Sequence, residues 1–261
     1  MRKTGSFFLS LLCTSIKGSI SIRGAFILEA ILMVTNNIIF FSIWFIFFRQ
    51  FNDIAGWKID DMIVLIAIGT GAYGLMQLCF GGIKVLSKTI VTGDLDSYMT
   101  QPKNILLHAI GSKSNSRGWG NILTSVIALF LGPFTSLSSI CLALMSMVSG
   151  CLVFASVGII AHSMAFWLGS VESLSRKYCD ALFLFALYPT NIYSGFLQFV
   201  MFTFIPAGLI GYVPVELIRN FSIDRLIILL LSSVGFAALS FFVFYAGIKR
   251  YESGNRFGMR A

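Results

Sequence analysis

Residues 118–171 contain no Asp, Glu, Lys or Arg. As a single helix those 54 residues would run ~80 Å, at ~1.5 Å per residue. A bilayer hydrocarbon core is only ~30 Å thick. The stretch must therefore cross a membrane twice. Its break is expected near Gly132-Pro133 or the serines Ser136, Ser138 and Ser139.

Composition agrees with a membrane chain. Apolar residues make up 57% of the 261 and charged residues 11%, where a soluble domain carries about 25% charge. Three further segments reach the ~20 apolar residues that a span needs: 25–48, 62–83 and 226–248. The 35 uncharged residues of 181–215 are harder to place, and Pro189, Pro206 and Pro214 punctuate them. They are long for one crossing and short for two with a turn.

Counting basic residues by side decides between these. One crossing in 181–215 gives six spans with both termini on the same side. With the N-terminus inside, the inner side holds Arg2, Lys3, Lys17 and Arg23, then Lys84, Lys88, Lys103, Lys113 and Arg117. It also holds Arg176, Lys177, Lys249, Arg250, Arg256 and Arg260. The outer side keeps Arg49, Lys58, Arg219 and Arg225, a split of fifteen to four. A second crossing would move the tail's four positive charges outside and blur that contrast. The expectation is an all-α membrane protein with six transmembrane helices in the inner (cytoplasmic) membrane, both termini cytoplasmic. An outer re-entrant segment (206–225) follows the fifth span, and a single membrane domain covers 1–261. The net charge of +8 is then a topology signal. Nucleic-acid binders gather base on one face of a polar domain, so no nucleic-acid partner is expected.

The first 24 residues differ from the spans. Ser6, Ser10, Thr14, Lys17 and Ser21 fall on one helical face, and Phe7, Phe8, Leu11, Leu12 and Ile16 on the other. This pattern suits an amphipathic helix lying at the inner membrane surface. Phe7–Leu12 is too short an apolar run for a cleavable signal, and none is expected.

Polar groups within the spans are few. Glu29 lies four residues into its segment, within reach of the inner interface. Asn36, Asn37 and Gln77 either hold helices together or face a translocation path. His162 is read as a structural or path-lining residue, since no nucleophile loop, oxyanion hole or HExxH sequence accompanies it. The five cysteines, Cys13, Cys79, Cys141, Cys151 and Cys179, form no CxxC, so free thiols are expected and no metal site. Gly69-x-Gly71-x-x-Gly74 matches a dinucleotide fingerprint, but it lies inside an uncharged span and not between a strand and a helix. Close helix packing is the expected use. No Walker A sequence occurs, so the chain holds no nucleotide by that route.

The inner loop 84–119 is the longest polar connection. Its centre, Gly93-Asp94-Leu95-Asp96-Ser97-Tyr98-Met99-Thr100-Gln101-Pro102, reads as a short helix capped by Asp94 and ending before Pro102.

The order of these features resembles the permease of the ABC-2 class of ATP-binding-cassette exporters, most closely its six-helix branch. Gly93, Leu95, Asp96 and Pro102 match that branch's inner-loop pattern. Tyr188-Pro189, Ile205-Pro206, Tyr212-Val213-Pro214 and the ending Lys249-Arg250-Tyr251-Glu252-Ser253-Gly254 match its later motifs. Gln101 stands where the family often has a basic residue. The resemblance implies a second permease, identical or related, and two separate ATPase subunits that carry the ATP and Mg. It also implies that Gly93, Asp94, Leu95, Asp96 and Pro102 dock in an ATPase cleft as a coupling helix, and that the cargo is a small amphipathic molecule. A secondary transporter or channel would instead call for mid-span ionisable residues and inverted repeats. Glu29 and His162 are the only such residues, and no repeat is visible.

Overall fold

A computed structural model describes residues 2–51, 53–54, 56–134, 136–189, 192 and 194–251, with the backbone alone for 2–4. It is 81% helix, with no strand among the described residues. Four helices are long and apolar enough to cross a membrane, or five if one bent pair counts as a single span.

The N-terminal α1 (Arg2–Ile20) leads into α2 (Arg23–Gln50), and α3 (Ile59–Cys79) returns antiparallel to it. The α2–α3 connection is tight. Ile54 and Trp57 exchange backbone hydrogen bonds of 3.1 and 3.0 Å across a turn at Gly56, whose φ is +81°. Trp57 is fully buried there.

A 3-10 turn (Gly81–Val85), α4 (Leu86–Val91), α5 (Asp96–Met99) and α6 (Ile105–Gly111) build the long connection to α7 (Arg117–Leu131). The break in the uncharged stretch falls where expected. α7 stops before Gly132-Pro133, because proline disfavours helix at the residue before it. α8 (Leu137–Ser163) starts on the Ser136 hydroxyl, which accepts from Ser139 N–H at 3.2 Å. A single turn, α9 (Ala165–Leu168), and α10 (Glu172–Ala186) follow. After them come α11 (Phe196–Thr203), α12 (Ala207–Ile210), α13 (Tyr212–Arg219) and the last long helix, α14 (Ile223–Ile248). At 15 residues, α7 is shorter than the four long spans.

α3 is the axis of the bundle. Its apolar window is 83% buried, against 17% for α2 and for α14, so the latter two form the rim. Lipid tails are as apolar as leucine, so apolar burial alone does not hold such helices together. Close packing and interhelical hydrogen bonds do. A Cβ on Gly74 would lie 2.9 Å from the Gly118 carbonyl oxygen, and one on Gly71 2.6 Å from Ser125 Oγ. The fingerprint glycines therefore serve helix packing. Ser125 Oγ donates to Ala67 O at 2.6 Å, and Ser149 Oγ to Leu229 O at 3.0 Å.

Residues 172–219 make one net passage across the bundle. At one end Arg176 Nε donates to Lys84 O at 3.4 Å, and at the other Arg219 Nη1 donates to Gly56 O at 2.9 Å. In between, the chain turns back. Leu187 packs at the level of Gly69, yet Phe204 O accepts from the Tyr178 hydroxyl, two turns closer to the start of α10. α11 meets the α12–α13 pair at 67°. α10 ends at Ala186, three residues before Pro189, and Gly195 takes φ +58° at the start of α11.

α1 has the expected period, and its apolar face also touches protein. Phe7 packs on His108 (5.3 Å), Phe8 on Phe80 (5.8 Å), and Ser15 Oγ on Gly111 O at 2.9 Å. α6 and the end of α3 leave Phe7, Phe8, Leu11, Leu12 and Ile16 half-buried.

Candidate functional site

The segment from Gly81 to Arg117 packs at the end of the bundle that also holds α1. Gly93 adopts φ +78°, which reverses the chain after α4. Leu95 follows, fully buried, and its N–H donates to Thr89 O at 3.2 Å. This anchors the single turn of α5. Leu95, not Asp94, stands at the N-cap, and the Asp94 carboxylate accepts from Thr92 Oγ1 at 2.7 Å. The Tyr98 ring stands edge-on to His108 at 4.9 Å, and its hydroxyl shares a hydrogen bond of 3.3 Å with Ser112. Asp96 is half-buried, while Asp94, Ser97, Met99, Thr100, Gln101 and Pro102 are exposed. The loop is thus a packed body with one projecting edge.

The C-terminal end of α14 reaches the same place. The Tyr251 ring meets Phe166 edge-on at 6.2 Å. Its hydroxyl lies 3.9 Å from where a Cβ on Gly93 would stand. Burial, and then the neighbouring Asp96, push that hydroxyl's pKa up to about 12. Residues 252–254 of the exit motif, and Arg256 and Arg260, lie outside the described residues. Both described ends of the chain, α1 and Tyr251, therefore sit at one end of the bundle.

The polar residues of the spans divide. Asn37 is buried, and its amide donates to Asn121 Oδ1 at 2.9 Å and Thr124 Oγ1 at 3.1 Å. Asn121 in turn donates to Gln77 Oε1 at 3.0 Å. Three amides thus tie α2, α7 and α3 together, which favours the helix-holding alternative for Asn37 and Gln77. Asn36 points outward and is exposed. Asn121 went unnoticed in the sequence, although Gly118, Asn121, Thr124, Ser125 and Ala128 repeat at helical spacing and form the buried stripe of α7. That stripe was the available signal.

His162 is buried near the end of α8, and its Nδ1 shares a hydrogen bond of 2.7 Å with the Ser87 hydroxyl. The neighbouring Ser163 hydroxyl makes no hydrogen bond among the described residues. His162 also lines a cavity of about 540 Å³ beside the loop. Glu29, from the second turn of α2, faces the same cavity, which places that carboxylate near the loop end of the bundle. Lys84, Lys113, Arg117, Arg176 and Asp180 complete the charged part of its lining, with Tyr73, Met76 and Phe154 behind them. A second cavity, of about 560 Å³, is almost wholly apolar and lies between α8, α10, α11 and α14, with Val157, Phe204 and Phe236 in its wall. All five cysteines are free thiols, and no metal-ligating cluster occurs among the described residues.

Comparison with known protein families assigns the chain. A family model described as ABC-2 family transporter protein matches residues 11–255. A search of curated proteins returns no match to the chain.

Proposed function

Because the chain belongs to the ABC-2 family of transporter membrane proteins, we propose that it is the permease subunit of an ATP-driven exporter. It moves an amphipathic or hydrophobic cargo (a drug-like molecule, lipid or glycoconjugate) outward by alternating access. Two copies of a separate ATPase bind the loop end of the bundle, which faces the cytoplasm, and a second permease, identical or related, completes the pore. On this reading the short α7, and the α10–α13 segment as one net crossing with a re-entrant part, bring the four long spans to six in the inner membrane.

The observation that carries this reading is Leu95. A fully buried leucine fixes a loop whose next residues, Ser97 to Pro102, are mostly exposed. A solvated connector needs no such anchor, whereas a lever that transmits force to the bundle does. Gly93, Asp94, Leu95, Asp96 and Pro102 then form the coupling site. The packing of Tyr251 beside Gly93 gives the loop a second attachment, to the end of α14. Full switching requires nucleotide to favour one conformation over the other by about 5 kcal/mol. The two cavities near the loop end, one charged and one apolar, suit a cargo with both characters.

The test is co-expression with the partner ATPase and reconstitution into vesicles. Nucleotide-dependent cargo movement is expected. A Met99→Asp, Pro102→Ala variant should retain a folded permease but lose coupling between ATP hydrolysis and transport. Cargo movement by the permease alone, without nucleotide, would refute the reading.

A further inference from the structure

The charges of the 540 Å³ cavity are only partly balanced by the fold. Four cations, Lys84, Lys113, Arg117 and Arg176, line it against two carboxylates, Glu29 and Asp180. Among the described residues no carboxylate lies within 4.0 Å of Lys84, Lys113 or Arg117, and Arg176 pairs with Glu172, outside the lining. The opposite end of the bundle is built differently. There Arg219 and Arg225 both reach Glu216, at 3.8 and 3.6 Å.

Lys84 shows the consequence. It stands half-buried in the 3-10 turn, and burial, then the Arg117 guanidinium, lower its pKa, while Asp180 opposes them by a smaller amount. Like charges held together in this way are unfavourable, and an anion placed among them relieves the repulsion. Behind the cations the wall is aromatic and rigid. Tyr73 stacks on Phe183 at 4.0 Å and meets Phe154 at 5.1 Å. The cavity therefore has a cationic mouth, an apolar back and the volume of a small-molecule site.

We propose that this cavity binds an amphiphile with an anionic oxyacid head group, phosphate or carboxylate, seated on Lys84, Lys113 and Arg117, with its apolar body against Tyr73, Met76 and Phe154. The proposal deepens the transporter reading by naming the cargo's chemistry and rests on that reading only in calling the ligand cargo. Binding itself requires no ATPase.

The test uses the purified permease in neutral detergent, without nucleotide or partner. Labelled dodecyl phosphate, kept below its micellar concentration, is measured by equilibrium dialysis against dodecylphosphocholine and inorganic phosphate. The expected result is at least tenfold tighter binding of dodecyl phosphate than of either comparator, weakened by added salt. A Lys84→Gln, Arg117→Gln double variant with an unchanged thermal transition should lose at least tenfold in affinity, and Lys84→Arg should retain it. Equal affinity for dodecyl phosphate and dodecylphosphocholine overturns the proposal, as does a folded double variant within twofold of the wild type. Inorganic phosphate bound as tightly as dodecyl phosphate overturns the amphiphile assignment. If the double variant fails to fold, the head-group comparison on the wild type decides. Competition by phosphatidylglycerol supports the site with a bilayer lipid as its source, and absence of competition supports it with exported cargo. Binding that persists in a permease with no nucleotide-driven transport refutes the exporter reading and leaves the site. Transport without this binding refutes the site alone.

Discussion

The side-chain amides of Asn37 and Asn121 meet at 2.9 Å between α2 and α7, and Asn121 passes the chain on to Gln77 of α3. Asn121 uses its donor and its acceptor together. Asn121→Leu therefore leaves two buried amides short of a partner. Interhelical hydrogen bonds in membranes contribute ~0.6 kcal/mol each on average, and an unmet buried amide adds a desolvation cost of ~1–3 kcal/mol. The expected loss is about 1–3 kcal/mol, read as a lower unfolding midpoint in detergent. Asn36→Leu, at the exposed neighbour, should leave the midpoint unchanged, and an equal loss in both variants would contradict the amide chain.

Leu95 and Pro102 should separate folding from docking. Leu95→Ala removes a fully buried side chain, and such truncations cost ~2–5 kcal/mol. Pro102→Ala, at an exposed position, should stay within about 0.5 kcal/mol of the wild type. Chemical unfolding of both variants checks this. A stable Leu95→Ala protein would remove the anchor on which the lever argument depends.

Arg219 clasps the opposite end. It donates to Gly56 O at 2.9 Å and lies 3.7 Å from Asp61, drawing the α2–α3 turn onto α13. The side chain is part-exposed, so solvent screens its ion pairs. Arg219→Ala should cost no more than about 1 kcal/mol globally. It should still speed hydrogen exchange at the amides of Ile54 and Trp57. Unchanged exchange there would show that the turn holds without the clasp.

The contact between α1 and the loop should weaken in acid. The His108 ring sits between Phe7 and Tyr98, and burial lowers its pKa below the ordinary value of 6.5. The unfolded chain then binds the proton more readily than the folded one, so stability is present above pH 6.5 and falls as pH drops through the folded pKa. The thermal midpoint should fall between pH 7.5 and pH 5. His108→Phe should flatten that part of the profile, and an undiminished slope in the variant would assign the effect to other groups.

The hydrophobic pattern made the spans legible. The break at Gly132-Pro133, the long helices and the packing use of Gly69, Gly71 and Gly74 all follow from composition and local backbone chemistry. The loop was legible as a unit through Gly93 and Pro102, but its internal bonding was not. Asp94 suggested a helix cap by residue type, whereas Thr92, two residues earlier, takes its carboxylate. The amphipathic period of α1 was readable, but its protein contacts were not. A face of Phe and Leu suits lipid and protein alike, and only the placement of α6 brings Phe7 onto His108.

For this protein, the sequence by itself determined which segments are apolar helices and how basic residues divide between the connections. Both are local properties, because a backbone in lipid satisfies its hydrogen bonds within its own helix. The tertiary structure decided which side chains meet. Asn37 and Asn121 stand 84 residues apart, Ser87 and His162 75 apart. Lys84, Lys113, Arg117 and Arg176 come from three separate segments to one cavity. Those meetings depend on the rotation of each helix about its axis, which close packing at glycine and serine contacts sets. No single segment carries that information.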